Sequence, residues 1–399
     1  MYKKILTTAV LAAIASAAQA QSSVTLYGLI DAGITYTNNQ SGHSAWQLRS
    51  ATVNGSRFGL RGTEDLGGGL KAIFTLENGF SINNGTFGQS SRMFGRQAFV
   101  GLTSDQFGAV TLGRQYDSVV DYVAPLTLTG GQYGGTIAAH PFDNDNLNNS
   151  VRFNNTVKYT SIDVSGFKFG ATYSFSNSTQ FANNRAYSFG ATYNYGPLKL
   201  AAGYLQLNND ITSASFANNV TNGSSFTGSG GAGAQTGEWT FLAGRQRTFG
   251  GGLSYAFGPA TAGLVYTQTN LSDAAGGGIS GTQSGRGNAT SGGIAFGANS
   301  ARFQNIEANV RYALTPALTL AGAYTYTRSD LGAGVNPNFN TVSLQSDYLL
   351  SKRTDVYLQG DWQHVSATGG RIHAFMNGES SASSTQSQVA VTVGMRHRF

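Results

Sequence analysis

Phe167-Lys168-Phe169-Gly170-Ala171-Thr172-Tyr173-Ser174-Phe175 places apolar side chains at every odd position and Lys, Gly, Thr and Ser at every even one. Successive side chains of a strand point to opposite faces, so this segment has one apolar face and one wet face. Tyr187, Phe189, Ala191, Tyr193 and Tyr195 repeat the pattern against Ser188, Gly190, Thr192 and Asn194. Leu318, Leu320, Gly322, Tyr324 and Tyr326 repeat it against Thr319, Ala321, Ala323, Thr325 and Thr327. Segments of about ten residues with this alternation suit strands that cross a bilayer. Large aromatics gather near the segment ends, where interfacial girdles lie, which favours a membrane wall over a soluble sandwich.

The composition agrees. Of 399 residues only 11% are charged, 12% are aromatic and 54 are Gly, against roughly 25% charged in an ordinary soluble domain. Gly, Ser, Thr, Asn and Tyr favour turns and pleated surfaces over helices, so the fold is expected to be all-β. With no cysteine, disulfide frameworks and thiolate metal sites are excluded.

The N-terminus, MYKKILTTAVLAAIASAAQA, has a basic head at Lys3 and Lys4, an apolar run from Ile5 to Ala15 and the small-x-small ending Ala18-Gln19-Ala20. It reads as a signal peptide over residues 1–20, cleaved after Ala20. Loss of Lys3 and Lys4 takes the formal charge from +6 to +4. No later run of about 18 apolar residues proposes a membrane helix.

The connections give a second, independent signal. Tight joints are expected at Thr63-Glu64-Asp65-Leu66-Gly67, Ser104-Asp105-Gln106, Asp163-Val164-Ser165, Gly196-Pro197, Gly258-Pro259, Thr315-Pro316 and Ser351-Lys352, each with turn chemistry. Between them lie longer polar stretches, near 38–55, 81–93, 117–150, 177–184, 209–244, 271–301, 330–338 and 366–386. Seven turns alternating with eight loops imply sixteen antiparallel strands in a closed barrel, with residues 21–399 as one domain. Closure satisfies every backbone hydrogen bond where there is no water. A barrel of this size holds an aqueous channel rather than a packed core.

The other chemistries are weakly supported. Gly67-Gly68-Gly69, Gly230-Gly231 and Gly276-Gly277-Gly278 lack the Lys-Ser or Lys-Thr and the strand-to-helix context of a phosphate loop. His43, His140, His364, His373 and His397 show no metal-binding spacing and read as bystanders. No nucleophile-elbow motif appears, so no catalytic residues, metal, cofactor or nucleic-acid partner are expected.

Parity turns Arg57, Arg61, Lys71 and Lys158 toward water, and Arg152, Lys168 and Lys199 join them, whereas Asp347, Asp355 and Asp361 lie on the far strands. The 117–150 stretch mixes apolar anchors (Val119, Val120, Tyr122, Val123, Leu126) with Asp117, Asp121, Asp143 and Asp145. Folded into the lumen, it would set carboxylates across from the basic strip, a transverse field in a passage about one Debye length (~8 Å) wide.

Ser23-Val24-Thr25-Leu26-Tyr27-Gly28, the run from Ser56-Arg57-Phe58-Gly59-Leu60-Arg61 through Glu64-Asp65-Leu66-Gly67-Gly68-Gly69-Leu70-Lys71, and Val110-Thr111-Leu112-Gly113-Arg114-Gln115 resemble the Gram-negative general porins of the β-proteobacterial type, as does the final Phe399. The resemblance spans essentially the whole mature chain. It implies a sixteen-stranded, homotrimeric outer-membrane barrel with the third long loop folded inward as the constriction. It maps the family's basic cluster to Arg57, Arg96 and Arg152, with Arg114 a further candidate, and implies that Phe399 is read by the barrel-insertion machinery. Arg96 and Arg114 count to the lipid face, so a bulge must turn them inward if they belong to the cluster. Asp117 and Asp121 are the first choices for the acidic partners.

The expected function is passive, weakly anion-favouring diffusion of ions and small hydrophilic solutes across an outer membrane of lipid and lipopolysaccharide. The alternative is a substrate-specific channel for an anionic nutrient or a sugar. A sugar channel calls for a row of aromatics on the lumen face, whereas most Tyr and Phe here count outward.

Overall fold

The computed structural model describes residues 23–177, 179, 181–182, 185–208, 241–277, 294–295, 299–366 and 372–399. The signal-peptide reading falls on residues outside this set. Sixteen antiparallel strands close into a barrel: β1 (Ser23–Gln40), β2 in two parts (His43–Ser50 and Arg57–Gly67), β3 (Leu70–Gly79), β4 (Gln97–Ser104), β5 (Gly108–Gln115), β6 (Phe153–Thr160), β7 (Phe167–Ser174), β8 (Ala186–Tyr195), β9 (Leu198–Asn208), β10 (Leu242–Phe257), β11 (Ala260–Gly277), β12 (Ser300–Ala313), β13 (Leu318–Asp330), β14 (Asn338–Leu349), β15 (Thr354–Ser366) and β16 (Ser387–Arg398). Both parts of β2 pair with β1, and a two-residue bridge at Ile294–Ala295 extends the ladder beside the end of β11. β16 closes the ring on β1 from Leu29↔Arg398 to Thr37↔Ala390, so no edge is left to meet hydrocarbon.

The alternation read from the sequence is the wall. Phe167, Phe169, Phe189, Tyr193, Leu320 and Tyr324 are exposed on the outside, while Gly170, Thr172, Ser188 and Thr325 are covered on the inside. On β4, Val100 (57% exposed) and Leu102 (48% exposed) face out. Charge on the outer face near the bilayer midplane is expensive. Val100→Arg, in the middle of β4, is therefore expected to lower the unfolding free energy in phospholipid vesicles by about 2–4 kcal/mol. Thr103→Arg on the inner face should cost little in the same urea titration, and an equal loss in both would contradict the assignment of faces.

The expected turns lie at the strand junctions, with one displacement: β2 runs through Gly67 and the first turn falls on Gly68 and Gly69, both with positive φ. The expected long loop at 38–55 is corrected more substantially. β1 instead continues to Gln40 and turns at Ser41-Gly42 straight into the first part of β2. The chain breaks off the wall only at 51–56, because the buried Asp31 carboxylate captures it: Oδ1 accepts from Thr52 Oγ1 (2.7 Å), and Oδ2 accepts from the Val53 (3.2 Å) and Asn54 (2.8 Å) amides. An inward aspartate that takes backbone amides offers the chain an alternative to its ladder partners.

Candidate functional site

Loop L3, residues 116–152 between β5 and β6, fills much of the barrel. Its first turns (Val119–Val123 and Ala124–Leu126) lie against the inner wall. Val119, Val123 and Leu126 are fully buried in one cluster with Ala201, Leu205 and Leu207 of β9 and Val265 of β11. Tyr122 fits only because the wall is bare beneath it: a Cβ on Gly170 would lie 2.4 Å from its hydroxyl, and one on Gly190 would lie 2.6 Å from its ring. Asp117 starts the segment as a cap. Its Oδ1 accepts from the Val119 (2.7 Å) and Val120 (3.2 Å) amides, and its Oδ2 accepts from Asn146 Nδ2 (2.7 Å).

The far half of L3 is held by a buried charge relay. His140 Nδ1 lies 2.6 Å from Asp145 Oδ2 and its Nε2 lies 3.2 Å from Glu307 Oε2 on β12. Glu307 Oε1 also accepts from the Leu128 amide (2.7 Å). Thr267 and Asn305 donate to Asp145 from β11 and β12. Burial alone would push the His140 imidazole down, but the Asp145 carboxylate and then Glu307 hold it up at about 10, so it is an imidazolium at neutral pH. Burial likewise opposes the charge on Asp145, and His140 overcomes it and holds the carboxyl below its ordinary range.

An opening lies between the tip of L3 and the β1–β4 corner. A cavity of about 170 Å³ there is lined by Arg49, Arg57, Arg96 and Arg152, by the 52–56 break, and by Thr136, Asp143 and Asn148 of L3. Glu77 of β3 organises two of the guanidiniums: Arg96 Nε at 2.7 Å and Arg57 Nε at 3.7 Å. Tyr27 Oη donates to the same carboxylate (3.0 Å). Arg96 Nη2 donates to Tyr116 Oη (3.0 Å), and the Arg152 guanidinium lies 5.5 Å from the same ring's centre. Arg152 Nη2 donates to Asn149 Oδ1 (2.7 Å), and no carboxylate among the described residues lies within ion-pair distance of it. Four guanidiniums line the cavity, and three carboxylates either line it (Asp143) or form ion pairs with those arginines (Glu77 and Glu379). The surplus is one positive charge.

Arg57, Arg96 and Arg152 thus share one cavity. Arg96 reaches it by a bulge: its amide donates to the Glu77 carbonyl (3.2 Å), the same residue that pairs with Gln97, so two residues oppose one and the parity slips. Arg114 does not reach it. In register with Ala98, it lies on the outward-facing parity, where it donates to Gly95 O (2.7 Å) and Asn154 Oδ1 (2.6 Å). Arg61 lies inside, over the Tyr27 ring at 5.3 Å, and Lys71 lies at the turn rim, 3.6 Å from Asp105. Lys158 is ion-paired with Asp121 and donates to Tyr116 O (3.2 Å), while Lys168 lies close enough to act on Asp121 electrostatically. On the strands that close against β1, Arg396 pairs with Asp347 (2.9 Å) and Asp355 (2.8 Å), and Arg398 also pairs with Asp355 (2.6 Å). Arg396 Nη1 donates to Asn54 Oδ1 of the 51–56 break and to Gln132 O of L3 (3.0 Å).

Of the four loop carboxylates only Asp143 lines this cavity. Asp117 and Asp145 are buried in the loop's own fastenings. Burial lifts Asp117 to about 6, and burial together with the neighbouring Asp145 charge lifts Asp143 to about 6. Burial also raises Asp121, with Lys158 opposing it.

Sequence reasoning missed Arg49, Glu77, Tyr116, His140 and a second inward loop. Trp46 and Leu48 face out (73% and 63% exposed) and alternate with inward Gln47 and Arg49, an alternation hidden when 38–55 is taken as loop. L8, described over residues 372–386, folds into the lumen. Phe375 stacks on Phe142 of L3 (6.1 Å, 20°), and Asn377 Nδ2 donates to the Ala139 (3.0 Å) and His140 (2.8 Å) carbonyls.

The Gram-negative porin family matches residues 7–368. An outer membrane porin protein of Bordetella pertussis is 34% identical over the full length of both chains. Outer membrane porin protein 32 of Delftia acidovorans is 37% identical over 52% of this chain and 60% of its own. Among solved structures, an anion-selective porin from Comamonas acidovorans superposes over 95% of this chain and all of its own, with a TM-score of 0.70 and 23% identity. OmpT of Vibrio cholerae, in its trimer form, superposes over 95% of this chain and 99% of its own, with a TM-score of 0.62 and 15% identity. A closed barrel with a polar-lined interior, matched to one family from residue 7 to residue 368, makes this chain a member of the Gram-negative porins of the outer membrane.

Proposed function

We propose that the chain is a trimeric, weakly anion-selective channel through which ions and small hydrophilic solutes diffuse without a chemical step. The observation that carries this reading is the passage itself, where four guanidiniums are matched by three carboxylates and Arg152 has no acidic partner among the described residues. A surplus of a single charge matches a weak preference, because ions in water screen it within about 8 Å. The anion-selective porin that shares the fold and the trimer form of another structural neighbour support the selectivity and the assembly. Residues 1–20 serve as the export signal. Phe399, hydrogen-bonded to Gly28 in both directions at 3.0 Å, is offered at the barrel seam as the insertion signal.

Planar-bilayer recording in a salt gradient tests the reading. A reversal potential on the anion side and three equal closing steps are expected. A cation-side potential overturns the role of the arginines, and a single step overturns the trimer.

Asp143 adds a pH dependence. With its carboxyl lifted to about 6, it carries charge at pH 7.5 and loses it by pH 5, while the guanidiniums stay charged. The surplus in the passage then rises from one to two, so the anion-to-cation permeability ratio is expected to increase as pH falls through 6, and Asp143→Asn should remove that increase. A ratio that is flat or falling with acid would contradict this placement of Asp143.

A further inference from the structure

Arg49 lines the passage, yet its charge is not free to act there. Its Nη1 lies 2.7 Å from Glu379 Oε1, both side chains are almost wholly buried, and its Nη2 donates to Gly378 O. The other carboxylate oxygen of Glu379 accepts from Thr37 Oγ1 (2.9 Å) and Gln40 Nε2 (2.5 Å) of β1. The close approach depends on glycine: Gly378 has φ +81°, and a Cβ there would lie 2.6 Å from Arg49 Nη2. Asn377 ties the same turn of L8 to the back of L3. The carboxylate that cancels one of the four pore arginines is therefore delivered by L8, not by L3 and not by the wall.

We propose that Glu379 is a selectivity-setting residue: by pairing with Arg49 it holds the anion preference of the channel below what the arginine cluster would produce alone. This rests on the reading of the passage given above. Arg49 contributes bulk and hydrogen-bond donors to the narrowing while its field is largely cancelled. A charge a few ångströms from a permeating ion, in water and screened by salt, changes its local concentration by about two-fold. Glu379→Gln keeps the shape and the ability to accept from Thr37 but removes the charge. Glu379→Asp keeps the charge.

The test is the reversal potential of the full-length protein in asymmetric potassium chloride for three variants. Glu379→Gln is expected to raise the chloride-to-potassium permeability ratio about two-fold, with Glu379→Asp close to wild type and single-channel conductance little changed in both. An unchanged or lower ratio in Glu379→Gln overturns the proposal, as does an equal shift in both variants or a rise in conductance without a change of ratio, which would make Glu379 a strut. Arg152→Gln separates the two readings. A lower ratio there with no response at Glu379 removes only this proposal, whereas no response at either site removes the reading of the passage as well.

Discussion

Asp145→Ala is expected to release the inner half of L3 and produce a wider, noisier channel in a barrel that still folds. The residue has no exposure, and its carboxylate joins His140 on the loop to Thr267 and Asn305 on the wall. Removing one member of a buried ion pair costs about 3–5 kcal/mol, because the partner charge is left in a low-dielectric site. The barrel ladder does not pass through this contact, so the cost falls on loop docking. Single-channel conductance should rise and fluctuate, while resistance of the barrel to denaturant should stay near wild type. Unchanged conductance would show that the apolar anchors alone hold the loop. The same relay sets a pH limit. His140 is raised from 6.5 to about 10, so the stabilisation it lends is complete below 6.5 and is lost as pH rises through 10. The loss through His140 lies on the alkaline side, and the lowered Asp145 carboxyl adds a separate loss in acid, below the ordinary carboxylate range.

Replacing Arg57, Arg96 and Arg152 together by Ala is expected to reverse the ion preference. Three positive charges leave a passage that keeps Glu77, Asp143 and the balanced Arg49–Glu379 pair, turning a surplus of one into a deficit of two. At roughly 0.5–1 kcal/mol per charge in a water-filled passage, the permeability ratio should move by about ten- to a hundred-fold. Arg114→Ala is the control, since its side chain donates to Gly95 and Asn154 on the outward parity, and its reversal potential should match wild type. A triple variant that stays anion-selective would place the determining field elsewhere in the lumen.

Much of this architecture is legible in the sequence, for a physical reason. A membrane wall imposes period two on each strand, and the segments at 167–175, 187–195 and 318–326 carry it without interruption. The inward loop was legible too, because Val119, Val123 and Leu126 are too apolar for a free surface. The site was only half legible. Parity fails wherever the ladder does: the bulge at Arg96 and the Asp31-captured break at 51–56 both turn side chains in ways that counting cannot follow. The acids failed for a different reason. Asp117 caps backbone amides and Asp145 neutralises a histidine, and composition does not separate a carboxylate facing water from one facing its own loop. His140, read as a bystander, owes its role to Asp145 and to Glu307, 167 residues away. L8 is fastened as L3 is, by apolar anchors: Ile372, Ala374 and Phe375 join the cluster of Phe142, Phe303 and Phe339, and Met376 packs with Ile137 and Ala390. The run Ala374-Phe375-Met376 was the signal, short within a stretch otherwise rich in Gly, Ser and Thr.

In the proposed channel, ions pass between the L3 tip and the arginines of the β1–β4 corner. The chain has no cysteine, so Asn148→Cys places a single thiol on the cavity wall. Single-channel current before and after a bulky, negatively charged thiol reagent is the direct measurement. A large stepwise loss of current with each subunit modified is expected, whereas complete modification at undiminished current would place the ion route elsewhere.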